Sequence, residues 1–157
     1  RIAKVYLLKW HDEGELPYMA LVRPLPHGDG LVRKIEAFLK ERFQDQDAIA
    51  KAVQASGIPE RTLKRRFKAA TGLPLIDYLQ NLRIEHGKHL LETTRLPVED
   101  ISVQAGYSDV SFFRRLFKRL VGLTPLTYRR MFGESASMLG VVRRRPLSEF
   151  RSTWRRT

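Results

Sequence analysis

The chain of 157 residues contains one unit twice. Fifty positions apart, Leu63 matches Phe113, Arg65 matches Arg115, Phe67 matches Phe117 and Lys68 matches Lys118; Gly72, Leu73 and Tyr78 return as Gly122, Leu123 and Tyr128. Upstream the offset falls to 49, with Ala52 against Ile101 and Gly57 against Gly106, so one extra residue enters the second turn. Two copies are too few to stack as a solenoid. Two tandem units on a stiff connector are the simpler reading.

Apolar spacing and punctuation make each unit helical. Leu31, Val32, Ile35, Phe38, Leu39 and Phe43 form one helical stripe. A short helix from about Asp47 to Ala55 stops at Gly57, and the next begins in a first turn containing Pro59 and Glu60 and stops at Gly72. Leu75 to Thr93 reads as one long helix, roughly 28 Å at 1.5 Å per residue. Gly87 lies inside it at a cost of about 1 kcal/mol relative to Ala, which close packing against a neighbour would explain. Pro97 opens a short helix to about Ala105, Asp109 to Val121 forms another, and Thr124-Pro125 starts a last one ending near Phe132. No period-2 strand pattern interrupts residues 31–132, so the expected class is all-α. Each unit reads as a helix-turn-helix, the first over 47–71 and the second over 97–121.

The flanks read differently. The cluster Ile2, Val5, Tyr6, Leu8 and Trp10 resembles a helix end without its core, and 13–30 is a Pro- and Gly-punctuated linker. Residues 134–157 form a Ser-, Gly- and Arg-rich tail, read either as added nonspecific affinity for a polyanion or as a disordered segment. Arg1 rather than Met at the start makes a fragment of a longer protein the expectation.

Charge selects the partner. There are 29 Lys and Arg against 17 Asp and Glu, a formal net charge of +12, and such an excess suits a polyanion. Residues 1–30 are neutral, 31–132 carry +8 and 133–157 carry +4. Within the repeat the excess is ordered. Arg61, Lys64, Arg65 and Lys68 fall at i, i+3, i+4 and i+7 on one helix face, while Leu63, Phe67 and Ala70 face the other way. In the second copy Phe113, Leu116, Phe117 and Leu120 form the inner face, and Ser111, Arg114, Arg115 and Lys118 the outer.

A B-DNA major groove admits one α-helix; Arg reads guanine O6 and N7 with two parallel donors, and Lys meets phosphate. The N-terminal half of the second helix of a helix-turn-helix faces the bases. That selects Arg61, Lys64 and Arg65 in copy one, and Val110, Ser111 and Arg115 in copy two, with Val110 suited to a thymine methyl. Two such helices would enter successive major grooves roughly 34 Å apart.

Other chemistries have less support. With no cysteine, disulfides, zinc–thiolate sites, iron–sulfur clusters and a Cys nucleophile are excluded. No apolar run approaches the ~20 residues of a membrane span. His86 and His89, with Glu85 and Glu92 nearby, are the one set resembling a metal site, and two solvated helix histidines are the simpler reading. No nucleophile–base arrangement suggests an enzyme. Asp45, Asp47, Glu99 and Asp100 stand near helix starts, where dipole and capping roles suffice. An RNA-binding module would display stacking aromatics, whereas most aromatics here fall on inner faces.

From Leu31 to Phe132 the sequence resembles the AraC/XylS family of transcription regulators. The resemblance is carried by Gly57-Ile58-Pro59-Glu60-Arg61-Thr62-Leu63-Lys64-Arg65-Arg66-Phe67, Thr71-Gly72, Tyr78-Leu79, Leu82-Arg83, Leu90-Leu91-Glu92-Thr93-Thr94, Val98-Glu99-Asp100-Ile101, Gly106-Tyr107-Ser108-Asp109, Phe113-Arg114-Arg115-Leu116-Phe117-Lys118 and Gly122-Leu123-Thr124-Pro125 with Tyr128-Arg129. It implies a seven-helix bundle with two helix-turn-helix motifs joined by a long central helix, binding double-stranded DNA in the bacterial cytoplasm without a cofactor and contacting RNA polymerase when it activates. It places base contacts on Arg61, Lys64, Arg65, Val110, Ser111, Phe112 and Arg115. Residues 1–30, notably Val5 to Trp10 and Gly14 to Tyr18, resemble the junction of the GlxA-type subgroup, whose members carry an upstream amidotransferase-like domain; dimerisation would then lie in that missing domain. Pro59 stands where the family usually has a capping serine, Pro74 comes one residue earlier than its repeat partner Pro125, and Gly87 replaces a commoner alanine. Phe112 is bulky for a base-facing position, and packs either on the sugar–phosphate backbone or into the core.

Overall fold

The computed structural model describes residues 26–138. The helix end expected in 1–12, most of the linker and tail residues 139–157 lie outside the described residues. Within them are seven helices and no strand: α1 (Gly30–Arg42), α2 (Ala48–Ser56), α3 (Glu60–Thr71), α4 (Leu75–Thr93), α5 (Val98–Gln104), α6 (Val110–Val121) and α7 (Pro125–Met138). The all-α seven-helix bundle is what the structure has.

Helix boundaries follow local chemistry. Asp29 caps α1, its Oδ1 accepting from the N–H groups of Leu31 at 3.0 Å and Val32 at 3.1 Å. Asp109 caps α6 in the same way, from Ser111 at 2.8 Å and Phe112 at 3.2 Å. Pro59, Pro74 and Pro97 stand at the N-caps of α3, α4 and α5 with ψ between 142° and 151°. The expected first-turn positions of Pro59 and Pro97 are thus corrected by one residue. Their carbonyls still accept the first helical bonds, from Leu63 at 3.0 Å and Ile101 at 3.1 Å. The left-handed C-caps Gly72 (φ 78°) and Gly122 (φ 81°) end α3 and α6 at equivalent points, a conformation a Cβ disfavours. Asp47 occupies the N-cap of α2 without a capping bond and pairs instead with Lys51 at 2.9 Å.

Helix α7 departs from expectation: it continues through Gly133 to Met138 rather than ending near Phe132. A mid-helix glycine costs only about 1 kcal/mol, and here it permits contact. A Cβ on Gly133 would lie 3.2 Å from the carbonyl oxygen of Leu91 on α4.

The repeat produces two cores. Val32, Ile35, Leu39, Leu63, Phe67 and Leu79 are buried together in the first, and Leu91, Ile101, Phe113, Leu116, Phe117 and Val121 in the second. Helix α4 belongs to both: Leu75, Tyr78 and Leu79 serve the first, Ile84, Leu90 and Leu91 the second. The same aromatic pair recurs in each. Phe67 meets Tyr78 with ring centroids 5.2 Å apart at 74°, and Phe117 meets Tyr128 at 5.5 Å and 79°. Edge-to-face pairs of this kind contribute about 0.5–1.5 kcal/mol beyond area burial.

Close packing does account for Gly87. A Cβ there would lie 3.1 Å from Cζ and 3.3 Å from Cε2 of Phe113, a fully buried ring that meets Tyr107 and Phe117, each at 5.7 Å. A methyl group would gain about 1 kcal/mol of helix propensity against an overpacking cost of about 1–3 kcal/mol. Gly87→Ala should therefore lose about 1 kcal/mol net in urea unfolding; a gain of that size would mean that the Phe113 ring yields freely.

Asp29 also accepts both guanidinium arms of Arg66 on α3, Nε to Oδ2 at 2.5 Å and Nη2 to Oδ1 at 3.0 Å. That pairing and the two capping bonds hold its carboxyl at about 2, against an ordinary 3.8. A depressed folded-state pKa stabilises the fold above the ordinary value and loses that contribution as pH falls. Melting temperatures of the wild-type chain and Asp29→Asn, measured from pH 5 downward, should therefore converge between 3.8 and about 2. Parallel curves would exclude the pairing.

Candidate nucleic-acid interface

The candidate surface is built on the outer faces of α3 and α6. Burial of Leu63 and Phe67 turns Arg61, Lys64, Arg65 and Lys68 outward, and all four are exposed. Burial of Phe113, Leu116 and Phe117 does the same for Ser111, Phe112, Arg114, Arg115 and Lys118. Ala70 and Leu120, assigned to the inner faces, are partly buried against the first and second core respectively.

Not every outward cation is equally available. Lys64 Nζ lies 2.5 Å from Glu60 Oε1 one turn earlier. Arg114 reaches across to Glu99 on α5. Among the described residues Arg61, Arg65, Lys68, Arg115 and Lys118 form no ion pair with a carboxylate; Arg65 and Lys68, with Lys64, border a shallow groove closed by Pro74, Leu75 and Ile76. Exposed ion pairs contribute only about 0–1 kcal/mol, so the carboxylates hold Lys64 and Arg114 only weakly.

Copy two is less cationic at its N-terminal end. Val110 is half-buried and packs on the second core, leaving part of its side chain outward. Phe112 is 40% exposed with its ring tilted against Tyr107, centroids 5.7 Å apart. Of the two placements left open for it, the core is excluded. Among the described residues it is the one exposed Phe, Tyr or Trp, too few for the aromatic platform of a single-strand binder.

His86 does not stand as a solvated helix residue. It is half-buried against Phe43 with ring centroids 5.1 Å apart, and burial, aided by His89, pushes its imidazole pKa down. Among the described residues no group of three or more His, Cys, Asp or Glu could hold a metal ion, and no helix is long and apolar enough to cross a membrane.

Two contacts escaped the sequence reading. Arg83, part of the Leu82-Arg83 motif but given no role there, is buried and donates to backbone carbonyls. Arg66, next to Arg65, turns to the junction residue Asp29 instead of the cationic face. The first had no sequence signal, because its partners are main-chain atoms some 40 positions away. The second joins residues 37 positions apart, beyond any local spacing rule.

Comparison with known proteins agrees with this geometry. The family model described as a helix-turn-helix domain matches residues 52–131. The HTH-type transcriptional activator RhaR of Escherichia coli K12 is 33% identical over 103 residues, which is 66% of this chain and 35% of that protein. The chain thus spans about a third of the length of the curated relatives it matches. The C-terminal domain of AraT, a response regulator from Geobacillus stearothermophilus, superposes with a TM-score of 0.63 at 27% identity, over 65% of this chain and 85% of that one. The DNA-binding domain of AdpA, solved with a target DNA, shares the fold at a TM-score of 0.64 and 23% identity, over 69% of this chain and 98% of that one. With its two cores, paired motifs and shared central helix, this chain belongs to the AraC/XylS family, and residues 52–131 are its helix-turn-helix domain.

Proposed function

We propose that this chain is the DNA-reading part of a bacterial transcription regulator and that α3 and α6 enter successive major grooves on one face of the duplex, roughly 34 Å apart. The observation that supports this most is the equivalence of the outer faces. Arg65 and Lys68 recur as Arg115 and Lys118, and all four are exposed while the aromatic residues between them are buried. In this reading Arg65 and Arg115 read guanine edges with forked donors, and Arg61 and Lys64 extend the reading in the first groove. Val110, Ser111 and Phe112 meet bases or sugars in the second. Lys68, Arg114 and Lys118 hold phosphates and set the register.

The same proposal extends to the longer protein. The named relatives act as activators or response regulators, and the resemblance of residues 1–30 to a junction supports an upstream domain that carries dimerisation. Residues 31–133 then form the DNA-binding domain, contact with RNA polymerase completes activation in the cytoplasm, and the arginines of 134–157 add phosphate affinity.

Selecting bound sequences from a random DNA pool supplies the site on which the reading is tested. On that site Arg65→Ala or Arg115→Ala should cost about 1–3 kcal/mol and relax the preference at one base pair. Full affinity with unchanged preference in a mobility-shift titration would refute the assignment. Lys68→Ala and Lys118→Ala should weaken all sequences alike and reduce the slope of log K against log salt by about 1 each. A flat salt response of the wild-type chain would point to a protein partner instead.

A further inference from the structure

The two helix-turn-helix units have separate cores that meet on α4. A shared helix sets their separation along its axis. Bending or twisting of that helix still changes the angle between them unless something away from the axis resists it. Arg83 stands at that place. It is rooted on α4 between the parts that serve the two cores, and it is only 7% exposed. Its Nε donates to the carbonyl of Phe43 at 2.6 Å and its Nη2 to the carbonyl of Asp45 at 2.7 Å. Both carbonyls belong to the loop between α1 and α2, in the first unit. The guanidinium carbon lies 5.0 Å from the ring centroid of Tyr107, in the turn of the second unit. One side chain therefore holds the first unit through charge-assisted hydrogen bonds and the second through a cation–π contact.

The backbones close on each other at the same point. Gly106 sits at φ +89°, and a Cβ there would lie 2.9 Å from the carbonyl oxygen of Gln44 and 2.9 Å from Arg83 Nε. The turn of the second motif thus touches the α1–α2 loop of the first directly. His86, one turn along α4 from Arg83, also reaches this loop, at 3.5 Å from Gln44 Nε2. The planar, forked geometry of Arg is what permits two carbonyls and one ring face to be met together; the point charge of Lys does not reproduce it.

We propose that Arg83 is a positioning residue for two-element DNA recognition: by locking the α1–α2 loop against the turn before α6, it fixes the angle between α3 and α6 and so the number of base pairs between the two sequence elements. This rests on the reading of α3 and α6 as groove-entering helices. Adding one base pair moves the second element by about 3.4 Å and turns it by about 35° around the duplex. A rigid joint cannot follow that displacement and loses the advantage of simultaneous engagement, while a loosened joint can follow it.

The test uses the wild-type chain, Arg83→Lys, Arg83→Met and Tyr107→Leu. The DNA is the selected site, the same site with one base pair added or removed between its elements, and a duplex holding one element alone. The wild-type chain should bind the altered spacings about tenfold or more weaker than the selected one. The three variants should stay within about twofold of wild type on the single element, bind the selected spacing about tenfold weaker, and discriminate between spacings by less than about threefold. Loss of packing alone would lower affinity without changing the ratio between spacings, so a retained wild-type ratio in the variants overturns the role of Arg83. If both Arg83 variants lose helical circular dichroism, the ratio in Tyr107→Leu, which keeps the hydrogen bonds to the loop, decides the matter in the same way. A wild-type chain indifferent to spacing would overturn the two-groove reading itself.

Discussion

The burial of one phenylalanine in each of α3 and α6 orients the side chains on their outer faces. Phe67 and Phe117 are fully buried, and each is held at the edge of a tyrosine from the following helix. A helix anchored at such a point cannot rotate about its own axis without exposing an aromatic ring. Each buried side chain of this size is worth about 1.5–3 kcal/mol of transfer free energy, more than an exposed ion pair at about 0–1 kcal/mol. The apolar face therefore decides which way the cations point, and electrostatics acts on a surface that packing has already chosen.

The same hierarchy explains what the sequence made legible. Helix identity, the glycine stops and the division into two units all rest on short-range periodicity and on residues with extreme backbone preferences. The 50-residue offset places the two buried rings, Phe67 and Phe117, at equivalent positions. Helix starts were shifted by one position because proline fixes φ equally well at the N-cap and in the first turn, and ψ distinguishes the two. The end of α7 was misplaced because Gly133 carries a tertiary contact with Leu91, and tertiary contacts override so weak a propensity.

The candidate surface was legible as a face but not as a set of pairings. Lys64 with Glu60 follows the i, i+4 rule and was open to inspection. Arg114 with Glu99 connects different helices across a turn whose length alone gave no geometry. Arg83 is the extreme case: its role depends on two carbonyls and a ring that come together only when both units are folded on α4. Sequence identifies such a residue as a charged position on an amphipathic helix. Its burial is what the sequence does not announce; Arg95, which follows the end of the same helix, is exposed.

The two copies are equivalent in packing and unequal in chemistry. Phe67 and Phe117 preserve the anchor, and Arg65 and Arg115 the outward fork, yet Glu60, Arg61 and Thr62 are replaced by Val110, Ser111 and Phe112. The first helix begins on a proline with no side-chain cap, the second on an aspartate that binds two amides. On the proposed reading, the long cation Arg61 at the start of α3 extends into a groove and tolerates variation in distance. Serine and valine at the start of α6 are short, so on the same reading they reach bases only if the backbone approaches closely. Unequal helices cannot be interchanged without loss. On the proposed reading they fix not only the spacing of the two elements but also their order, giving the bound chain one direction along the duplex.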